Sequence, residues 1–375
     1  MTTTPTIDTP HPAPSELDPD QLRSVVLTER FGALLTGRRP GAAAGPAGRN
    51  ILLETGAFLD SVLDPAKGWL RPSTLVFVPG DDRTVDGGRP DDRIVGYEGS
   101  LAMGGDEVGL AGSFRIQTLE YAVGPFVPVV GPTVLRLTSD EDAELFFEDA
   151  DRARATGEFP EILIHPLVEL ADHCALGGHR ACVGVDNVHV AADGQVGIAP
   201  GGVPLGHVDE GCAVIAERFR AASAHGCGEL HLGDVLDSDT VGAGCRARPW
   251  LSRYLHALAV LRTLTLRDKV QLRVDGFGPP ARPELIGATA RAGDALVVRE
   301  RERAYVASAT GRSFAVGHQV ADCITLLQTT GHPDRVVATL NPGGGSDLTA
   351  RLTGVIAELA QRGIVGGEVC DAGHR

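Results

Sequence analysis

The sequence has no long apolar run and fewer basic than acidic residues, and these two shortages exclude several classes of protein. Only two of its 375 residues are Lys, and 5% are aromatic. No stretch of 18 or more apolar residues occurs, so the sequence predicts no membrane-spanning helix. The chain holds 34 Lys and Arg against 49 Asp and Glu, a net charge of −15. Because such a chain repels phosphate groups, we expect neither nucleic acid nor a membrane as a partner.

Motifs of the common enzyme classes are also missing. No Gly-Lys-Ser/Thr phosphate loop, Gly-x-Ser-x-Gly elbow, His-Glu-x-x-His site or Cys-x₃-Cys-x₂-Cys cluster motif occurs in the chain. The sequence therefore assigns no catalytic residue, no metal and no cofactor, and it favours a protein that is not an enzyme.

The seven cysteines do not form a regular pattern. Their odd number and irregular spacing argue against a disulfide framework, and the N-terminal residues have no apolar segment typical of a secretion signal. We expect a cytoplasmic protein. Zinc stays an alternative at one segment, where five potential ligands lie within 18 residues: His165, His173, Cys174, His179 and Cys182. The eight-residue step between its two cysteines does not fit the paired spacing of structural zinc sites.

Composition and periodicity divide the chain into four parts. Residues 1–18 are rich in Thr, Pro and Asp and are expected to be disordered; residues 19–150 read as a mixed α/β region; residues 151–290 form a middle region; and residues 293–368 form a C-terminal domain. The fold class that these patterns predict is a multidomain α+β protein.

Three helices and one hairpin stand out before the C-terminal domain. Apolar residues at helical spacing predict helices over residues 19–36, 140–156 and 249–266. Two short β-prone runs, at residues 188–190 and 196–198, flank Ala192-Asp193-Gly194, a turn sequence typical of a β-hairpin.

The C-terminal domain has a readable order of elements. Short β-prone runs at residues 295–299, 304–309 and 313–316 precede helical patterns at 318–330, 333–340 and 346–362. Three strands followed by three helices within about 75 residues predict a small unit of winged-helix type. Residues 293–365 hold seven arginines and seven acidic residues, so this unit is neutral and a poor candidate for reading DNA.

This order resembles PqqD-type domains, the recognition elements of ribosomal peptide-modification pathways. The resemblance rests on the turn Ala309-Thr310-Gly311-Arg312 before Ser313-Phe314-Ala315-Val316, on the following helix, and on the closing Leu359-Ala-Gln-Arg-Gly-Ile-Val365. It implies that the leader of a precursor peptide adds to the third strand and packs beside the last helix. The implied peptide-binding residues are Arg312, Ser313, Phe314, Ala315 and Val316 on the strand, and Arg351, Val355 and Glu358 on the helix.

The hairpin segment is similar to the SPASM module of radical enzymes. The similarity lies in His189-Val-Ala-Ala-Asp-Gly-Gln-Val196 and in Pro204-Leu-Gly-His-Val208. Ala199-Pro200-Gly201 stands where that module has Pro-Cys, so the thiolates that hold its iron–sulfur cluster are missing. The segment is therefore interpreted as a degenerate module without a cluster, and no radical chemistry is expected.

Over its whole length the chain resembles the large recognition proteins found with daptide biosynthesis. The residues that carry this resemblance are the C-terminal unit together with the strings at 29–37, 96–101, 170–177 and 248–255. The resemblance implies that the protein binds a precursor leader and presents the peptide to a dehydrogenase, an aminotransferase and a methyltransferase. The alternative is a metal- or nucleotide-dependent peptide-modifying enzyme whose N-terminal active site no motif reveals.

Overall fold

The described part of the chain folds into two units. The computed structural model describes residues 19–36, 48–80, 93–100, 107–110, 114–177, 185–223, 228–233, 235–236, 238–265, 272–279, 295–308 and 313–361. The larger unit lies within 11–147 and 161–249, and the smaller unit lies within 148–160 and 250–375. The domain boundary expected from the sequence, between residues 150 and 151, falls inside a helix. The strands before and after this helix belong to one sheet. The expected disorder of residues 1–18 concerns residues outside the described part.

The larger unit holds ten strands and eight helices among its described residues. The strands are β1 (Asn50–Leu53), β2 (Leu75–Pro79), β3 (Ile94–Glu98), β4 (Glu107–Leu110), β5 (Phe114–Glu120), β6 (Thr133–Arg136), β7 (Val168–Leu170), β8 (Asn187–Val190), β9 (Gln195–Gly197) and β10 (Gly206–His207). The helices are α1 (Pro19–Thr36), α2 (Leu59–Leu63), α3 (Asp140–Thr156), α4 (Glu161–Ile164), α5 (His173–Leu176), α6 (Cys212–Ala222), α7 (Gly228–Leu232) and α8 (Ser238–Ala247), and α3 continues into the smaller unit.

All ten strands join one sheet in the order β10-β9-β8-β1-β2-β3-β4-β5-β6-β7. Strands β8, β1, β2, β3, β5, β6 and β7 run in the same direction, whereas β4 and β9 run against their neighbours. The chain crosses the sheet from β1 to β7 and then returns to place β8 beside β1. The strand order therefore reverses at β1: strands β2–β7 lie on one side of it, and β8–β10 lie on the other.

Both faces of this sheet are covered, which explains why its central strands are buried throughout. All four residues of β1 are buried, and they alternate between two cores. Ile51 and Leu53 pack with Phe219 of α6, whereas Leu52 packs with Phe31 of α1. A parallel sheet with helices on both faces needs apolar residues at every position of a strand, so apolar and polar residues do not alternate along its sequence.

The sheet curls around α1. Strands β6 and β9 are seven places apart in the sheet, about 34 Å if the sheet were flat. Nevertheless Arg136 on β6 donates from Nη2 to the carbonyl of Pro200, three residues after β9, over 3.3 Å. Val134 of β6 also shares the α1 core with Leu52 of β1. Segments from opposite ends of the sheet therefore meet.

The smaller unit contains an antiparallel sheet of four strands and most of the C-terminal helices. Its strands are β11 (Arg273–Val274), β12 (Leu296–Arg299), β13 (Ala304–Ala307) and β14 (Ser313–Val316), in that order across the sheet. Its helices are α9 (Leu251–Thr265), α10 (His318–Thr330), α11 (Pro333–Leu340) and α12 (Ser346–Gln361), with the second half of α3.

The core of the smaller unit lies between its sheet and α10–α12. Val297 and Val306 from the strands pack with Ile324, Leu326 and Ile356 from the helices, among other apolar residues. The three strands and three helices predicted over residues 295–362 are confirmed as elements in this order, and β11 is an additional strand. The helix predictions over 19–36 and 140–156 are confirmed, and the predicted hairpin is confirmed by the antiparallel pair β8–β9. The mixed α/β content is also as expected.

Candidate functional site

Strand β14 is an edge strand of the smaller sheet. Among the described residues it pairs only with β13, in the register Ala304↔Val316, Tyr305↔Ala315, Val306↔Phe314 and Ala307↔Ser313. A strand at this position presents one row of backbone groups to its neighbour and another row outward.

The hairpin between β12 and β13 determines which residues of β14 face outward. The Glu300 amide donates to the Arg303 carbonyl at 2.9 Å, so the pair Glu300–Arg303 is hydrogen-bonded. Hydrogen-bonded and non-hydrogen-bonded pairs alternate along antiparallel strands. Tyr305 and Ala307 therefore bond to β12, whereas Ala304 and Val306 bond to Val316 and Phe314 of β14. The N–H and C=O groups of the two remaining residues of β14 point away from the sheet: Ser313 and Ala315.

The side chains of β14 are half-buried on both faces. Phe314 and Val316 pack against the core under α10–α12, and the alternation of a strand places Ser313 and Ala315 on the opposite face. By contrast, all four residues of β13 are buried. The gradient from a buried strand to a half-buried one leaves apolar surface beside the outward backbone groups of β14.

Helix α12 contributes a second row of predicted residues. Arg351, Val355 and Glu358 are spaced by four and three residues, so they form one stripe along the helix. Arg351 and Glu358 are exposed, and Val355 is half-buried against the core. This stripe borders the buried stripe of Leu352, Ile356 and Leu359. It therefore offers two opposite charges around an apolar centre.

Three apolar residues of the predicted peptide-binding set pack against the same core. Phe314, Val316 and Val355 contact one core, Ser313 and Ala315 form the outward row, and Arg351 and Glu358 flank Val355. Arg312 lies outside the described residues. Helix α12 packs on α10 and α11, and α10 packs on β12 and β13.

A buried ionic network holds the sheet and α10 together. The guanidinium of Arg299 on β12 donates to both carboxylate oxygens of Asp275, with two of the contacts at 2.8 Å, and lies 2.9 Å from Asp322 of α10. Thr325 of α10 donates to Asp275 over 2.6 Å. All three charged side chains are nearly inaccessible to solvent, at 11%, 4% and 6% exposure. One arginine therefore compensates two buried carboxylates, and it fixes the inner strands on which β14 depends.

A second arrangement of polar groups lies in the larger unit. Glu54 directly follows β1, and His189 lies on β8, its parallel neighbour. His189 Nε2 is 2.9 Å from Glu54 Oε1, and the Ala192 amide donates to Glu54 Oε2 over 2.9 Å. The hydrogen bond from His189 holds the pKa of Glu54 below its usual value. The pair lies where the strand order reverses, at the carboxyl ends of parallel strands, and open α/β sheets commonly bind ligands at such points.

Tyr97 of β3 adds a phenol to this region. Its hydroxyl donates to the Leu53 carbonyl over 2.7 Å. Burial, with a smaller contribution from the charge of Glu54, raises the pKa of Tyr97 to about 12. A phenol in this environment stays protonated and acts as a hydrogen-bond donor at neutral pH.

Sequence reasoning missed Glu54, His189 and Tyr97. The available signal was weak: Asn50-Ile-Leu-Leu-Glu54 and Asn187-Val-His-Val190 are short apolar runs, each carrying a polar residue at or near its carboxyl end. Their pairing joins residues 137 positions apart, and only the register of β1 with β8 brings the two side chains together.

The segment considered for zinc shows no assembled site in its described part. His165 Nδ1 accepts a hydrogen bond from the Leu167 amide, and His173 begins α5. His179 and Cys182 lie outside the described residues, as does the side chain of Cys174. Among the residues that the structure describes, no group of three or more His, Cys, Asp or Glu side chains is arranged to hold a metal ion.

Comparison with protein-family models, with curated proteins and with solved structures finds no match for this chain. Within the described ranges, no helix has both the length and the apolar character needed to span a membrane.

Proposed function

We propose that the protein binds the leader of a ribosomally made precursor peptide by strand addition to β14. The observation that carries this proposal is the outward row of N–H and C=O groups at Ser313 and Ala315, beside half-buried apolar side chains. An extended peptide gains main-chain hydrogen bonds at such an edge, and its alternate side chains enter apolar pockets.

The length of β14 supports the choice of this edge. The other terminal strands of the two described sheets are β10 and β11, with two residues each, and β7, with three. Short terminal strands are a common protection against unwanted pairing, and β14, with four residues, is the least protected of these edges. The order of three strands and three helices agrees with the PqqD-like resemblance of the sequence.

In the daptide-type pathway that the resemblance suggests, the protein presents the peptide to tailoring enzymes. The proposed partners are a dehydrogenase, an aminotransferase and a methyltransferase, which would dock on the remaining surface. Tethering the leader raises the effective concentration of the modifiable end at each enzyme. A protein without a catalytic group of its own can therefore accelerate the pathway.

The test is binding of a fluorescently labelled precursor leader to the full-length chain and to an Ala315→Pro variant. Proline removes the outward N–H of Ala315, and this group does not pair with β13, so the fold is expected to survive. We expect at least a tenfold loss of affinity, since the guest strand loses a hydrogen bond and meets the proline ring. Phe314→Pro is less informative, because the N–H of Phe314 pairs with Val306 and its loss damages the sheet itself.

Two matched controls sharpen this test. Ala315→Ser keeps the N–H and the small side chain, and it should bind like the unaltered protein. Arg351→Glu should weaken binding of the leader by severalfold, whereas Arg335→Glu changes another exposed arginine, on α11, and should not. Equal affinity in Ala315→Pro and Ala315→Ser would exclude strand addition at β14, and absence of leader binding by the unaltered chain would exclude the function.

A second candidate function is a peptide-modifying enzyme in the larger unit. The position of Glu54 and His189 at the reversal of strand order favours it, because a carboxylate–imidazole pair can act as a general base. A metal or nucleotide requirement would be detected by elemental analysis and by nucleotide titration of the purified protein. Conversion of the precursor peptide that is lost in a His189→Gln variant would support the enzyme and not the binding protein.

A further inference from the structure

A cavity of about 430 Å³ lies in the larger unit, at the end of the sheet opposite to Glu54 and His189. Arg49 immediately precedes β1, Lys67 and Arg71 lie in the segment before β2, and Val185 precedes β8. Because these three strands are parallel neighbours, their amino ends form one wall of the cavity. Helix α6 forms another wall.

The charge of this cavity contrasts with that of the chain. Four of the described residues that line it are basic, and none is acidic: Arg49, Lys67, Arg71 and Arg220. The whole chain carries a net charge of −15. The first turn of α6 also lines the cavity and adds the positive end of an eleven-residue helix. The cavity is therefore a local concentration of positive charge.

Arg49 is the central cation of this group. It is 1% exposed, and its Nε and Nη1 donate to the carbonyls of Val185 and Trp69 over 3.0 and 2.6 Å. Burial lowers the pKa of Arg49, an effect opposed by the neighbouring Cys212 thiol. Among the described residues, no carboxylate lies within ion-pair distance of its guanidinium. The direct partners of the guanidinium are backbone carbonyls, and the Asp186 carboxylate acts on Arg49 only from beyond ion-pair distance. Part of its charge is therefore available to an anion, because a buried site screens charge less than water does.

The other three basic side chains of the cavity differ in how many polar partners they have. Lys67 bonds to Asp209 and Ser61, and Arg71 makes a long, exposed contact of 3.4 Å with Asp186. Arg220 is exposed on α6 and forms no hydrogen bond or ion pair with another described residue. Arg49 and Arg220 therefore supply positive charge that the described residues do not neutralise.

The rest of the lining is apolar. Val185, Ala213, Ala216 and Phe219 present aliphatic and aromatic surface to the same space. A ligand that matches this lining carries an acidic head for the guanidinium groups and a compact apolar body.

We infer that this cavity binds a small organic anion, a phosphate monoester or a carboxylate, whose head pairs with the exposed Arg220 under the attraction of the buried charge of Arg49, and whose body packs along α6. The inference is independent of peptide binding at β14, since it concerns the other unit. Arginine matches both kinds of head with paired hydrogen bonds, so the shared chemistry is a compact oxyanion attached to an apolar group.

The experiment measures the melting temperature of the full-length chain during titration with phenyl phosphate, benzoate and neutral benzyl alcohol at constant ionic strength. We expect a saturable rise with at least one anion and none with benzyl alcohol, because a ligand that binds only the folded state stabilises it. Saturation by phenyl phosphate alone identifies a phosphate ester as the ligand class, and saturation by both identifies any compact oxyanion.

Arg220→Ala and Arg246→Ala are the decisive variants, since both arginines are exposed on helices of the larger unit and only Arg220 lines the cavity. Arg220→Ala should raise the apparent dissociation constant at least fivefold, and Arg246→Ala should change it less than twofold. Arg49→Lys, which keeps the charge and loses the planar fork, should weaken binding further if it folds. A curve that does not saturate with either anion, an equal response to benzyl alcohol, or equal constants for the Arg220 and Arg246 variants would overturn the inference.

Discussion

Both edges of the larger sheet are strands of two or three residues, whereas one edge of the smaller sheet is β14, with four residues that are half-buried on both faces. The larger sheet is mostly parallel and covered on both faces, so its polar groups lie at the ends of its strands, in loops that the topology brings together. The smaller sheet is antiparallel, and its least protected feature is the outward edge of β14, which pairs with no other described strand. The two sheets therefore offer different chemistry: side chains at strand ends in the larger one and a row of backbone groups in the smaller one.

Both sheets depend on buried charge, but they compensate it differently. In the smaller unit Arg299 is enclosed by the carboxylates of Asp275 and Asp322. In the larger unit Arg30 and Arg49 donate chiefly to backbone carbonyls, and Arg30 also bonds to the amide oxygen of Asn50. Ion-paired networks fix a structure, whereas a cation held by dipoles keeps charge available for a ligand.

The largest effect is expected from Arg299→Met. This change removes the positive charge that lies between the buried carboxylates of Asp275 and Asp322, and it should cost about 3–5 kcal/mol of unfolding free energy. Hydrogen exchange measured by mass spectrometry should then show lost protection in residues 295–308 and 313–361, with little change in residues 48–80. Arg335→Ala, at an exposed arginine of the same unit, is the control and should change stability by less than about 0.5 kcal/mol. Equal loss of protection in both units would mean that the two sheets are not independent in stability.

An intermediate effect concerns His256 on α9, which packs on β12. Burial, with a smaller contribution from Arg253, lowers the pKa of His256 to about 4, from an ordinary value of 6.5. The unfolded chain therefore binds a proton more readily, and the contribution of neutral His256 to stability is present above pH 6.5 and lost as the pH falls towards 4. The expected loss is on the order of 1–3 kcal/mol. Denaturant unfolding at pH 7 and pH 4.5 should show a smaller pH dependence in His256→Leu, and an unchanged dependence would contradict this assignment.

The smallest effect is expected at Glu54 in the larger unit. The pKa of Glu54 is lowered mainly by its hydrogen bond with His189, so the ionised form contributes stability above its ordinary pKa of 4.5. This contribution is lost as the pH falls through the lowered folded value. Glu54 is one-third exposed, and the expected cost of Glu54→Gln at pH 7 is below about 1 kcal/mol. Melting curves of Glu54→Gln and of Glu141→Gln, an exposed change in the first turn of α3, would compare the two positions. A cost of several kcal/mol would make the pair a structural element like Arg299 and weaken its candidacy as a site.

Apolar spacing and turn residues within short segments predicted some of the helices and one hairpin. Helix α1 begins at Pro19 and ends at Thr36, as its apolar spacing indicated. The β8–β9 hairpin was predicted from its Asp-Gly turn, and the positive φ of Gly194 shows why a glycine is needed there. Strands β1, β4, β7, β10 and β11 and helices α2 and α4–α8 were not predicted. These elements are short or weakly periodic, and they depend on the layers that cover them.

For the candidate peptide site, local patterns in the sequence predicted β14 and α12 as elements, and the PqqD-like resemblance selected the residues on them. Tertiary structure decided that Ser313 and Ala315 face outward, since this follows from the register of three strands. It also decided that Glu54 meets His189, and that Arg49 and Arg220 line one cavity across 171 residues of sequence. Parallel strands are joined by long crossovers, so their neighbours are selected by burial over the whole sheet and not by any adjacent residues.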